Sequence, residues 1–318
     1  MRRFLFIFLL ACAWFAVFIP WNGFSDPDAF YHAHASALLL KSGPIKTFPW
    51  LDQTLLGSSY ADLHFLFHFF TTPFVQFFGS FHGLRIATVV LASVFLAAFD
   101  ACIRWLKLRY ASVWTILLAT SHALIFRLLL GKATPLALLW FVFGLAAAWK
   151  RRPLLLFAIT FAYALSHGGW MYLAGSVVLL AVGDLLYRKM VRTPPAPSLQ
   201  EGVLRREFKE WIFLIAASFA GGFVGLIFHP NFPETLRFAY AQVVTIGLGT
   251  PFRHVILGAE WQPADPAALF ASLAPWTIAL LLAFAGLFFT WTERPRPRIT
   301  SDDPRPRLVI ALGLIVAV

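Results

Sequence analysis

Charge is scarce in this chain. Asp, Glu, Lys and Arg make up 13% of its 318 residues, about half the share of a soluble domain. Two cysteines, Cys12 and Cys102, exclude a disulfide scaffold. Acids are scarcer than bases, 15 against 26, and the formal net charge is +11. What is abundant is apolar: 59% hydrophobic residues, 35 Phe, 12 Trp and a mean hydropathy of +0.74. A soluble globule of this size cannot bury that much apolar surface, and such a composition also excludes disorder for the bulk of the chain. The composition predicts a polytopic membrane protein.

A helix needs about 20 apolar residues to cross the hydrocarbon core of a bilayer. The apolar runs are continuous rather than alternating, which favours helices over a barrel. They predict spans at 4–20, 84–103, 111–128, 134–149, 153–166, 169–187, 211–228 and 269–290. A ninth run begins at Leu308 and meets Val318 after too few residues to cross, so the sequence predicts a chain cut short within a span. The expected fold is therefore all-α: a polytopic transmembrane helix bundle of eight or nine spans. Its first extracytoplasmic loop, 21–83, is long and contains interfacial helices, and its last spans 229–268.

Orientation turns on Phe65–Gly79, which interrupts its apolar run with His68, Pro73 and Gln76. If this segment lies flat and the N-terminus is cytoplasmic, 19 of the 26 basic residues fall on the inner side. If it crosses, the bias reverses, so the positive-inside rule favours the flat arrangement. The basic charge is then inner-face anchoring and calls for no nucleic acid. All nine histidines fall on the outer side. The inner segments 192–210 and 292–307 read as mobile, solvated or headgroup-facing stretches. Asp100 and Asp184 each precede an Arg by four residues, a spacing for local ion pairs rather than an ion path.

The first outer loop opens with Ser25-Asp26-Pro27-Asp28-Ala29-Phe30-Tyr31-His32-Ala33-His34. Ser25 or Asp26 can cap a helix running to about Lys41 and ending near Gly43-Pro44. On it Asp28 and His32 share a face. Such a pair can hold a divalent cation or share a proton; an acidic first turn with interfacial aromatics is the other reading. Asp62, His64 and His68 follow. The His64–His68 spacing suits a metal but lacks the Glu of a zinc-protease helix. His68 reads better as a polar anchor of a surface-lying helix, while Asp62 and His64 read as functional.

A span followed by an outer loop opening on Asp28-Ala29-Phe30-Tyr31-His32 resembles the GT-C glycosyltransferases. The likeness is to the catalytic subunit of oligosaccharyltransferase, whose archaeal members carry a similar Asp-Ala-Tyr-Tyr-His stretch. The order of surface helix, span, basic inner turn, span, short outer turn and span is also similar. The likeness covers about residues 1–190 and weakens towards 290. It implies a sugar or glycan donor on a polyprenyl phosphate or diphosphate, an active site on the extracytoplasmic face of a bacterial or archaeal plasma membrane, and a catalytic role for Asp28, with Asp26 as alternative and His32 beside them. It implies also a divalent cation, Mg or Mn, on Asp28, with Asp62 and His64, read as functional from their own cluster, as its further candidate ligands. Phosphate-binding cations are Arg127, Lys132, Arg237, Arg253 and His254, each of which can instead snorkel to headgroups. His167 and Trp170, at the paired glycines of Ser166-His167-Gly168-Gly169-Trp170, are candidates for stacking on a sugar; a turn with an interfacial Trp is the alternative.

The sequence departs from that subunit in two places. The outer turn 126–135 has no acid, and the Trp-Trp-Asp motif with its soluble domain is absent. These departures weaken protein N-glycosylation and metal dependence, and leave room for an acid acting as general base without metal, as in protein O-mannosyltransferases. A transporter or lipid flippase is the competing function, and would require internal repeats and unpaired ionisable groups at the bilayer midplane.

Overall fold

The computed structural model describes residues 2–48, 50, 57, 60–191, 197–242, 244, 265 and 267. These residues are helical or irregular, and no strand occurs among them. The helices are α1 (Arg2–Phe18), α2 (Asp28–Ser42), α3 (Phe65–Phe78), α4 (Ser80–Trp105), α5 (Ala111–Thr120), α6 (His122–Leu128), α7 (Thr134–Trp149), α8 (Pro153–Ser166), α9 (Trp170–Val191), α10 (Pro197–Ile227) and α11 (Glu234–Tyr240).

Turn chemistry sets most boundaries. Gly43 leaves α2 at φ 68°, its N–H returning to the Leu39 carbonyl. Pro135 and Pro153 stand in the first turns of α7 and α8, where a missing N–H costs nothing. Gly79, at φ 75°, folds α3 back on α4 without an intervening loop. The hairpin is tight: a Cβ on Gly83 would lie 2.4 Å from the Phe74 carbonyl oxygen.

α4 is the axis of the first half, with α1, α2, α3, α5 and α7 packed on it. Its two faces bury Val89, Ala92, Phe95 and Leu96 against α1, and Leu84 and Leu91 beneath α2 and α3. The second half packs α7, α8, α9 and α10 around Leu156, Trp170, Leu173, Val177 and Trp211. Large apolar side chains point outward too: Val17, Phe77 and Leu154 are each more than three-quarters exposed. An outer surface of this kind is stable against lipid rather than water.

Two helical stretches, Ser80–Trp105 and Arg205–Ile227, are long and apolar enough to cross a membrane. The expected span 111–128 is broken: α5 and α6 meet that criterion only as a pair, bent by 72°. The break is Ser121, extended at ψ 109°, a residue whose hydroxyl favours helix ends over interiors. α3, α7, α8 and the Trp170–Leu186 part of α9 are apolar but shorter. Residues 197–210, expected as a solvated loop, instead begin α10. Glu207–Arg151 (3.0 Å) ties this charged first half to the turn between α7 and α8, and Arg206–Glu210 (3.3 Å) is an exposed pair within the helix. The expected span 269–290 and the run from Leu308 lie outside the described residues.

Charged groups sit at both ends of α4. Near its C-terminus Asp100 binds Arg104 at 2.9 Å, as its spacing predicts, and also Arg3 of α1 at 3.0 Å. At the other end Arg85 donates to the Gly23 carbonyl at 2.9 Å and lies over the Phe24 ring. The two groups are about 22 Å apart along the helix axis. Asp184 is bound by Arg151 at 2.9 Å and by the Trp211 indole N–H at 3.0 Å; its expected partner Arg188 has a side chain outside the description.

Candidate functional site

The site is built on α2. Asp26 Oδ1 accepts the Asp28 backbone N–H at 2.9 Å and so starts the helix. The α6–α7 turn closes over this first turn. Gly131, at φ 73°, comes so near that a Cβ there would lie 2.9 Å from Ala29 Cβ. The turn's next residue, Lys132, places Nζ 2.7 Å from Asp28 Oδ2 and 2.9 Å from Asp26 Oδ2. Burial works against the Lys132 charge, but its hydrogen bonds to Asp28 and Asp26 prevail, and its pKa is raised. Asp28 is therefore engaged by Lys132, where the spacing points to a cation or to His32 as its partner.

One turn along α2, His32 enters a buried chain of polar groups. Its Nδ1 lies 2.8 Å from His68 Nε2, and His68 Nδ1 lies 2.8 Å from Asp62 Oδ2. Asp62 Oδ1 accepts the His64 backbone N–H at 3.0 Å. The frame around the chain is also polar. Asp62 N–H donates to Asn231 Oδ1 at 3.4 Å, and Asn231 Nδ2 donates to the Ile45 carbonyl at 2.6 Å. Lys46 donates to the Pro230 carbonyl, so the segment before α11 is fastened to the first loop by three hydrogen bonds. Ser36 and Thr71 join α2 to α3 through their hydroxyls at 2.6 Å. Tyr31, hydrogen-bonded to Tyr60 at 2.8 Å, sets its ring edge-on to His32 and His68. The His64 ring stands edge-on to His32 at 4.9 Å and to His167 at 5.4 Å, between centroids. The His167 ring is fixed by the Gly169 N–H at 2.9 Å.

Burial is the largest influence on these groups. It opposes ionisation of Asp62, but the attraction and hydrogen bond of the adjacent His68 ring outweigh it and hold the carboxyl below its usual range. Burial, then His68, Lys132 and His167, push His32 well below the usual imidazole value; burial, then its imidazole neighbours, do the same to His64. Burial alone lowers His167, and it is the first cause at His229. Tyr31 and Tyr60 are pushed up by burial and by Asp62. Because Lys132 is felt at His32 and Asp28 at Tyr31, the charged rim and the histidine core form one electrostatic unit.

The structure thus brings together Asp26, Asp28, His32, Asp62, His64, Lys132 and His167. It does not gather the rest. Arg127 is exposed in the last turn of α6. Arg237 is exposed and bound to Glu234 at 2.7 Å. Trp170 is 3% exposed in the core of the second half, against Phe223 and Gly222, so its ring offers no face to a sugar. Arg253 and His254 lie outside the described residues. His68, expected as a surface anchor, is fully buried at the centre of the chain. Its four-residue spacing from His64 was the signal available; nothing in the sequence pointed to Asn231.

The residues present do not fit a divalent cation. Asp28 is held by Lys132, and both Asp62 oxygens are engaged, by His68 and by the His64 N–H. Among the described residues no three His, Cys, Asp or Glu side chains converge as a metal set, so Asp28, Asp62 and His64 do not form one. What the arrangement offers is acid–base chemistry and a fixed cation. Comparison of the chain with family models, with curated proteins and with solved structures finds no match.

Proposed function

We propose that the chain is an integral-membrane glycosyltransferase that moves a sugar from a polyprenyl phosphate or diphosphate to an acceptor hydroxyl on the extracytoplasmic face. The observation that carries this reading is the convergence on α2 of a carboxylate-held lysine and a buried Asp–His–His chain, at one end of an apolar bundle. In this reading the bundle has eight or nine spans and a cytoplasmic N-terminus. Its shorter crossing helices, α1, α7 and α8, of 14 to 17 residues, rise about 21–26 Å, which a locally thinned bilayer or flanking anchors accommodate.

The chemistry suits the donor. Its isoprenoid tail stays in lipid while its phosphate meets the interface, where Lys132 offsets the negative charge. Asp26 and Asp28 fix that lysine in place. The anomeric carbon–oxygen bond to phosphate breaks and a bond to the acceptor oxygen forms. The acceptor's proton passes to a base of the first loop, and polyprenyl phosphate leaves.

The test is transfer from a radiolabelled polyprenyl-phosphate hexose in membranes containing the protein. Asp28→Ala removes one of the two carboxylates that hold Lys132 and is expected to lower the rate about 100-fold, the usual cost of displacing a positioning group. A folded Asp28→Ala protein working at the parental rate removes the mechanism. Solute uptake into vesicles with no glycosyl product replaces the reading with transport.

A further inference from the structure

The least expected group in the site is His68. Its ring is fully buried, and both nitrogens are used: Nδ1 towards Asp62 and Nε2 towards His32, each at 2.8 Å. The direction of the two hydrogen bonds follows from elementary rules. An ionised carboxylate only accepts, so the His68 Nδ1 carries a hydrogen and donates to Asp62. A neutral imidazole with its hydrogen on Nδ1 accepts at Nε2. His32 must then donate from Nδ1, which leaves a lone pair on His32 Nε2. That nitrogen has no hydrogen-bond partner among the described residues.

We infer that Asp62, His68 and His32 form a proton relay that presents His32 Nε2 as the base taking the acceptor's proton. This inference rests on the glycosyl-transfer reading and gives the base left unassigned there. Asp28 is bound to Lys132, whereas His32 faces no carboxylate directly and is backed by one through His68. The step balances. The acceptor O–H bond breaks as its oxygen bonds the anomeric carbon, the proton joins His32 Nε2, and the bond to the departing phosphate takes its electron pair away. The positive charge on His32 is offset by Asp62 through His68, and water takes the proton after product leaves. His68 and Asp62 are positioning residues: they fix the tautomer and orientation of His32 and touch no substrate.

Packing supports one rotamer for the acting ring. Phe67 and His64 stand edge-on to His32 from different helical positions, and Tyr31 precedes it on α2 with its own ring edge-on. The Ser36 hydroxyl donates to the His32 carbonyl at 2.8 Å within α2 and joins Thr71 across the helix pair, so α2 cannot slide along α3 without breaking the Ser36–Thr71 bond.

Two measurements test this, and they separate the relay from the reading on which it rests. The first needs no turnover. Two-bond proton–nitrogen correlation spectra of the full chain in detergent, labelled with ¹⁵N-histidine and assigned with His32→Gln and His68→Gln, report each tautomer near neutral pH. The expected result is His32 and His68 both neutral with hydrogen on Nδ1. A hydrogen on His32 Nε2, or a His32 imidazolium, overturns the relay. The second is transfer from the radiolabelled polyprenyl-phosphate hexose. His32→Ala is expected to lose about 10²- to 10⁴-fold in rate, with partial recovery in added imidazole. His68→Gln keeps a donor towards Asp62 and an acceptor towards His32, and is expected to retain far more activity than His68→Ala. A parental rate in folded His32→Ala, with the tautomers as expected, overturns the base assignment and leaves the glycosyl-transfer reading intact. No transfer by the parental protein removes that reading instead, and the relay then stands or falls on the tautomers.

Discussion

Lys132 spends its charge on two partly exposed carboxylates, Asp26 and Asp28. Exposed pairs of this kind contribute about 1 kcal/mol or less to stability. Lys132→Ala is therefore expected to fold with little change in melting temperature, yet to lower kcat/KM for a polyprenyl-phosphate hexose by about 100-fold or more, at least as much as Asp28→Ala; thermal melting and initial rates on the same preparation check both. The buried histidines behave differently. Folding holds His32 and His64 well below the usual imidazole value of 6.5, and lowers His167 and His229 as well, with burial the first cause each time. Above 6.5 both folded and unfolded chains keep them neutral, and nothing is lost. Below 6.5 the unfolded chain takes up protons that the folded chain refuses, so stability falls as the pH falls, until the folded pKa of each is passed. Each such histidine is expected to cost about 1.4 kcal/mol per pH unit within that window. A melting series from pH 8 to pH 5 checks this, and a flat profile below 6.5 refutes it. The sequence shows the ingredients at this scale and hides their connections. Asp26, Asp28, His32, Asp62 and His64 stand out as polar groups in an apolar chain, but whether a carboxylate is free or held by Lys132 depends on a turn 100 residues further on. Trp170 misleads for the same reason: a Trp beside paired glycines reads as interfacial until α10 covers it.

Between elements, glycine sets the distances. Gly221 and Gly225, one turn apart on α10, lie against Phe157 and Phe161, one turn apart on α8. A Cβ on Gly221 would sit 2.4 Å from the Phe157 carbonyl oxygen, and one on Gly225 2.7 Å from that of Phe161. This is the small-residue approach by which apolar helices pack when lipid offers no hydrophobic contrast. The contacted atoms are backbone, so they cannot turn aside. Gly221→Val is expected to destabilise the fold by about 1–3 kcal/mol. Gly175→Ala, on α9 with open space around its Cβ position, is expected to be neutral or slightly stabilising. Thermal unfolding of the two variants in one detergent separates a specific seam from a general intolerance of larger residues. Helix ends at Pro135, Pro153, Gly43 and Gly79 were legible because each rests on local backbone chemistry. The bend at Ser121 and the helical start of α10 were not. Hydropathy averages across a single serine, and it reads Glu207 as solvated when it is tied to Arg151 in the turn between α7 and α8.

For the whole molecule the charges divide between two ends, and α4 measures their separation. Arg3, Asp100 and Arg104 form one group at its C-terminal end, while Arg85, the Lys132 rim and the histidine chain gather at the other. The expected sidedness came from counting Lys and Arg by segment, a rule that reads where charge lies along the chain and is blind to which charges meet. The folded arrangement gives the count a second meaning. If the N-terminus faces the cytoplasm, the arginine-rich groups anchor the inner leaflet and the site opens outward, where a lipid-linked sugar can reach α2. If the arrangement is inverted, the same polar chain faces the cytosol and an extracytoplasmic transferase has no site. Single cysteines distinguish the two. With Cys12 and Cys102 replaced by Ser, Ser42→Cys at the end of α2 and Arg206→Cys on α10 occupy exposed positions. In intact cells or spheroplasts a membrane-impermeant maleimide is expected to label Ser42→Cys and to reach Arg206→Cys only after the membrane is opened. The reverse pattern places the histidine chain in the cytosol, and with it ends the proposed chemistry, because a base on that side cannot meet a sugar presented on the other.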